Sequence, residues 1–510
     1  RRARPGGTPR RGARLNAASQ AGRASIRPPA GGKAVDARPP LPTMVLRLFG
    51  PEPAETDGAY PFFIRAETPD PGRARAAARP MTDAGAPGGR IAIVGAGIVG
   101  VSTAIWLQRA GAAVDLIDRQ PPGEGASFGN AGVLAASAVA PVTVPGVLSK
   151  APRMLLDPSG PLFLRWRDLP RLAPWLLRYA AHANAADAER CAAALRPLTA
   201  DTLAEHRALS AGTGAERYVV PGDYLYLYRD RPAFEADQLV WEMRRRAGFF
   251  WETLEGAALR AHDPVFAPDQ RFAARLGGHG RITDPGAYVK ALAAHAEREG
   301  ARVIRADALG LRREGDAVTG LRLRAADGAE ETQECGAVVV AAGAWSSPLC
   351  RALGLHPPLE TERGYHLELW EPSVTPAAPT MIASAKVVAT PMEGRLRLAG
   401  VVEFGGLKAG PSAAPRRLLR RQARAIFPGL TWRAEREWMG HRPATADSIP
   451  VIGPVPAAPG AWVGFGHHHV GLTAGPATGR LLARMISGAR PNIDVSPYDP
   501  GRFARPAKRA

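Results

Sequence analysis

The chain has 510 residues, 45% of them hydrophobic, and a formal net charge of +19. That is enough apolar material for a large core and two domains, while the charge raises the question of a nucleic-acid partner. Its distribution argues against one: residues 1–90 hold 16 Lys and Arg against 7 Asp and Glu, and the other 420 residues spread a modest excess over a large body.

Residues 1–89 are rich in Arg, Ala, Pro and Gly, with neither helical nor strand periodicity, and read as a disordered N-terminal extension. An Arg-rich transit peptide is the second reading of that segment. Arg90–Val94 is a short apolar strand, residues 98–111 are helical with Gly111 as C-cap, and Val114–Asp118 is a second strand ending in an acid. Residues 125–149 carry no charged side chain. Asn130, Pro141, Pro145 and four glycines interrupt them, so they read as a buried loop and not as a membrane span.

From 151 to 248 the pattern is helical and rich in Arg and Trp, with a strand predicted at Tyr224–Tyr228. A helix at 286–300 precedes strands at 302–305, 317–324 and 336–341. Strands are expected again at 362–370, 380–398 and 432–440, with one helix at 412–427. A short strand after Ile449 and a helix over 474–487 close the chain. Cys191, Cys335 and Cys350 form no CxxC pair, the sparse set of a reduced cytoplasmic protein without disulfides or a metal cage.

Two glycine-rich signatures carry the chemistry. IAIVGAGIVG (91–100) joins a strand to a helix: Gly95 permits the tight turn, Gly97 admits a pyrophosphate to the backbone, and Gly100 lets helix and strand pack closely. Asp118, 23 residues after Gly95, is spaced to accept hydrogen bonds from a ribose. GHHHVGLTAGPATGR (466–480) is a second glycine-rich entry into a helix. Two unobstructed helix N-termini suit a long cofactor held at its phosphates and again at its ring, which fits FAD better than NAD. In ASFGNAG (126–132), Ser127 and Asn130 could bond phosphate or flavin edges while Gly129 and Gly132 admit a ring, or the segment is simply a turn. Arg442, in WMGHRPATADSIPVIG (438–453), is either a carboxylate anchor or one half of an ion pair. Histidines 467–469 point in different directions, so they read as lining for a ring pocket and not as a metal site.

These motifs, in this order, resemble the FAD-dependent D-amino acid dehydrogenases of the D-amino acid oxidase/glycine oxidase superfamily, over about residues 90–505. The resemblance implies an α/β fold: a Rossmann-like FAD-binding domain (90–150, 281–350 and 440–495) and a discontinuous α+β substrate domain built on an antiparallel sheet (151–280 and 351–439). It implies that Gly95, Gly97, Ile98, Val99, Gly100, Asp118 and Arg119 hold the ADP half of FAD, with Ala308 at the adenine and Gly343 near the diphosphate. Ser127, Asn130, Ala131 and Gly132 would lie along the diphosphate and flavin, and Gly471, Leu472 and Thr473 would face the flavin carbonyl. Arg442 would anchor the substrate carboxylate, and Tyr365 and His366, in ERGYHLEL (362–369), are candidate pocket walls. The implied reaction is hydride transfer from the α-carbon of a D-amino acid, giving an imino acid and then a 2-oxo acid and ammonia. A quinone or oxygen would take the electrons, with at most peripheral membrane contact and no nucleic acid. Oxidation of glycine, sarcosine, proline or hydroxyproline, and RNA modification by a related flavoprotein, are the alternatives.

Overall fold

The structure, a computed structural model, describes residues 89–146 and 160–503. Of the expected N-terminal extension, everything before Gly89 lies outside the described residues.

The apolar strand Ile91–Val94 is buried on both faces, and its neighbours are parallel to it, Val114–Asp118 on one side and Ala337–Val340 on the other. Arg302–Glu314 and Ala461–Phe465 extend this parallel core, and Val451–Pro454 closes one edge antiparallel. At the other edge Arg302–Glu314 continues into antiparallel pairing with Ala317–Ala325 and then Glu330–Glu334. Near-continuous Val, Ile and Ala runs are what a sheet covered on both faces requires.

Helix Ile98–Arg109 packs against helix Gly471–Ile486 where the latter lacks side chains. A Cβ on Gly475 would lie 2.8 Å from Ile98 Cγ1, and one on Gly479 would lie 2.5 Å from Ser102 Cβ. This close crossing holds two helices together whose starts are 373 residues apart in sequence.

The second sheet runs in the order Ala434–Thr445, Leu359–Trp370, Arg395–Phe404, Val387–Met392, Thr380–Ile382, Val219–Tyr228, Phe272–Ile282 and Val133–Leu134. It is antiparallel except where Thr380–Ile382 meets Val219–Tyr228 and where the short strand Leu162–Leu164 joins Arg395–Phe404.

The structure departs from the predicted elements in three places. Within 151–248 the strand expected at Tyr224–Tyr228 is ten residues long, Val219–Tyr228, and Phe272–Ile282, a strand not expected from the pattern, pairs with it along most of its length. Two adjacent glycines near the middle of Phe272–Ile282 hide its alternation. The single strand expected over 380–398 is three pieces, turned at Lys386 and Gly394, both with positive φ. Glu330–Glu334, polar throughout, was invisible to a hydrophobic pattern because it is an exposed edge strand. Among the described residues no helix is long and apolar enough to cross a membrane.

Candidate active site

The two glycine-rich turns open into one cavity of about 1240 Å³. Gly95 closes the first with φ at +115°, a conformation an L side chain rarely adopts, and a Cβ there would overlap the Ala341 carbonyl. Gly97 caps helix Ile98–Arg109 with no side-chain bond of its own, and neither this helix nor Gly471–Ile486 carries an acid in its first turn. Both N-termini therefore present amides and a positive dipole end to the cavity. A Cβ on Gly97 would come within 3.3 Å of Ser127 Oγ, which accepts from Ile98 N at 3.0 Å. That bare cradle, with half-buried Asp118 at the end of the neighbouring strand, fits a dinucleotide diphosphate and ribose. Asp118 Oδ2 accepts from Ala96 N at 2.8 Å and Oδ1 from Gln120 N at 3.0 Å.

Of the residues singled out from sequence, Gly95, Gly97, Ile98, Val99, Asp118, Arg119, Ser127, Asn130, Ala131, Ala308, Gly343, Gly471, Leu472, Thr473, Tyr365 and Arg442 all border this cavity. Arg119 lies over the Trp345 ring, 4.1 Å from its centroid. Gly100 and Gly132 do not border it. A Cβ on Gly100 would overlap the Gly95 carbonyl, and one on Gly132 would sit 2.6 Å from Ile282 O, so both glycines serve close packing. Asn130 closes a turn of its own, Oδ1 accepting from Gly132 N at 2.8 Å. The ring that Gly129 admits is a protein one: Trp438 lies against both Gly129 and Gly440, where a Cβ would fall inside its ring.

His366 also lies away from the cavity. The 126–132 loop covers it; Nδ1 donates to Gly129 O at 3.1 Å, and the ring stacks on Trp438 at 5.1 Å. Tyr365 turns to the opposite face and donates to Glu403 Oε2 at 2.6 Å. His467, His468 and His469 line the cavity. Thr473 Oγ1 donates to Val133 O at 3.2 Å, and His206 bonds Leu472 O at 2.9 Å, which steadies the start of Gly471–Ile486.

Arg442 is the most specifically built group. Its partner strand has Gly364 beneath it, where a Cβ would lie 2.5 Å from Cζ. Beyond, the pairing of Leu359–Trp370 with Arg395–Phe404 shifts register, leaving Val401 as the extra residue. Val401 sits at φ +52°, strained for a β-branched residue, and this bulge turns two carbonyls inward. Arg442 Nη2 donates to Gly400 O at 3.0 Å and Nη1 to Val401 O at 3.3 Å. Enclosure lowers its pKa from the ordinary value, and the nearby Glu362 carboxylate works against that. Glu362, directly across the strand pair, is itself buried. Burial acts to raise its pKa, but His468, Arg442 and His469 outweigh it and hold the carboxyl at about 2.

Gly364, Glu362, Trp438 and the Val401 bulge were not picked out from sequence. A glycine inside a strand pattern marks a close approach, and that signal was present in ERGYHLEL. The bulge depends on pairing between distant segments and leaves no local mark.

Three buried histidines give the fold a pH dependence. Burial pushes His206 down to about 4; burial, helped by Arg397, takes His366 to about 3; burial, helped by His468, takes His467 to about 3. The unfolded chain takes up protons near pH 6.5 and the folded one refuses them, so protonation favours unfolding. Stability is expected to be full above about pH 6.5 and to fall steadily towards pH 4. Melting temperature measured from pH 8 to 4.5 checks this, and His366→Gln should show a shallower fall. A flat profile across that range would contradict the assignment.

Residues 90–485 match the family described as FAD dependent oxidoreductase. A D-amino-acid oxidase of Bradyrhizobium diazoefficiens is 39% identical over 82% of this chain and 99% of its own. D-amino acid dehydrogenase 2 of Ralstonia nicotianae is 33% identical over 80% of this chain and 99% of its own. Among solved structures, glycine oxidase from Geobacillus kaustophilus superposes with a TM-score of 0.60 at 23% identity, covering 81% of this chain and 98% of that one. The L-amino acid deaminase of Proteus vulgaris, with its specific insertion sequence deleted, gives 0.61 at 18% identity, covering 85% and 99%. With a cavity that fits the dinucleotide and a match along nearly all of the described residues, the chain belongs to the FAD-dependent oxidoreductase family, and FAD is its cofactor.

Proposed function

We propose that the protein catalyses the oxidative deamination of D-amino acids. The observation that carries this reading is Arg442: a guanidinium held over Gly364 by two backbone carbonyls, bordering the cavity and forming no ion pair among the described residues. A planar fork so fixed suits the α-carboxylate of an amino acid. The relatives named above, a D-amino-acid oxidase and a D-amino acid dehydrogenase, support the D configuration.

Gly95, Gly97, Asp118, Arg119, Ala308 and Gly343 would hold the ADP half of FAD, and the Gly471–Thr473 backbone would face the ring. When bound, FAD supplies a two-electron acceptor for the substrate's α C–H bond, and the imino acid product hydrolyses to a 2-oxo acid and ammonia. The chain's own part is positioning: Arg442 fixes the carboxylate, and the cavity walls set the α-carbon and limit water. The division proposed is an FAD-binding domain of 90–150, 281–350 and 440–495 and a substrate domain of 151–280 and 351–439. Two strands of the second sheet, Phe272–Ile282 and Ala434–Thr445, run across those boundaries and would join the domains.

Mixing the purified yellow protein with amino acid enantiomers without oxygen tests the reading. Bleaching of the flavin band by D-amino acids, much faster than by their L forms, is expected; faster bleaching by L forms would overturn it. Parallel assays with oxygen and with a soluble quinone identify the acceptor. Gly364→Ala is expected to raise KM about tenfold or more without loss of flavin, because the added methyl displaces the guanidinium by a few tenths of an ångström or more. Steady-state kinetics together with the flavin-to-protein ratio check this.

A further inference from the structure

The deeply buried arginines of the second sheet come with carboxylates. Arg363 pairs with Glu403 at 2.9 Å, while Arg395 and Arg397 pair with Glu368 at 2.7 and 2.6 Å. Arg244, on helix Gln238–Arg246, does not follow that rule. It is only 7% exposed and borders the same cavity as Arg442. Its guanidinium lies over both the Tyr226 and Trp241 rings, 4.3 and 4.4 Å from centroids that meet edge-on 5.0 Å apart. Nη2 donates to the Tyr226 hydroxyl at 2.9 Å, and Nε has no partner among the described residues. The acids around it are engaged elsewhere. Asp223 pairs with Arg275 at 3.4 Å, and Asp237 pairs with Lys386 at 3.6 Å and accepts from the Tyr228 hydroxyl at 3.3 Å.

A guanidinium withdrawn from water without a counter-charge is costly, and two aromatic faces offset only part of that cost. The arrangement is the one expected where the anion arrives with a ligand. Tyr224, Tyr226 and Tyr228, alternating on one strand face, add a polar aromatic wall beside it. We propose that Arg244 is a second carboxylate-binding residue of this cavity, so that the preferred substrates are amino acids with an acidic side chain. This rests on the reading of Arg442 as the anchor for the α-carboxylate. With one guanidinium at each carboxylate, a dicarboxylic amino acid leaves neither cation unpaired, whereas a neutral side chain leaves Arg244 buried and alone.

The test compares D-aspartate, D-glutamate and D-2-aminoadipate with the amide or norvaline analogue of similar length, using the holoenzyme. An acid is expected to be favoured over its neutral partner by roughly tenfold or more in kcat/KM. The best chain length reports the span between the two arginines. Arg244→Met should bring that ratio close to one. Independently of turnover, glutarate should perturb the flavin spectrum at roughly tenfold lower concentration than butyrate, and Arg244→Met should remove the difference. Equal use of acids and amides by the wild-type enzyme would overturn the proposal, as would a preference that survives Arg244→Met. The wild-type comparison stands even where the variant is poorly folded, and Arg244→Gln supplies a second, polar replacement. Oxidation of neutral D-amino acids without a preference for acids would defeat this inference alone. Failure of every D-amino acid would defeat the reading of the function instead.

Discussion

Arg442→Ala is expected to lower kcat/KM for a D-amino acid by about 30- to 5,000-fold, equivalent to about 2–5 kcal/mol, while the purified protein remains yellow. The range is that for truncating one partner of an enclosed, hydrogen-bonded charge pair. Flavin is expected to be retained because the hydrogen bonds of this side chain run to Gly400 and Val401 and not to either glycine-rich turn. Arg442→Lys should recover little of the loss, since an ammonium cannot reach both carbonyls and still offer a fork to the substrate. Rapid-mixing flavin reduction and the flavin-to-protein ratio separate the two effects. Unchanged reduction rates in Arg442→Ala would remove it from the mechanism. A colourless variant would mean that it supports the cofactor instead.

Gly97→Val and Gly100→Val should fail in different ways although the glycines are three residues apart. At Gly97 the new side chain meets only Ser127 Oγ and the open cradle, so the fold survives and the anion site is lost. The purified protein is expected to carry roughly a tenth or less of the normal flavin, because several charge-assisted bonds at a helix N-terminus go together. At Gly100 the side chain collides with the Gly95 backbone, and overpacking of that kind costs about 1–3 kcal/mol or more in folding stability. Asp118→Ala should weaken FAD binding more mildly than Gly97→Val, since water can take over ribose contacts. Circular dichroism, melting temperature and flavin content distinguish all three. A fully yellow Gly97→Val protein would mean that this turn is not the phosphate site.

What was legible in the chain was local. Strand, turn, helix and acid between Ile91 and Asp118 follow one another within 28 residues, so their geometry is written in neighbouring side chains. Arg442 was legible as a residue but not as a site, since its setting is made by Gly364 and Val401 on two other strands. His366 shows the opposite error. It shares a strand face with Gly364, but the 126–132 loop lies over it, and no pattern within ERGYHLEL could reveal that cover. Arg244 was passed over for the same reason. Its lack of a counter-charge among the described residues becomes visible only once distant segments are assembled around it.

The crossing at Gly475 and Gly479 makes the two helix starts a caliper with a locked jaw. One jaw is set by the first glycine-rich turn and the other by the last, and the lock lies behind both, among Ile98, Ser102 and Thr103. A bulkier residue at position 479 would therefore alter the gap without touching anything bound in it. Ligands that grip only one jaw, such as ADP or a free flavin, would be indifferent to such a change. The full-length dinucleotide, proposed to span both, would feel it as a misfit in length.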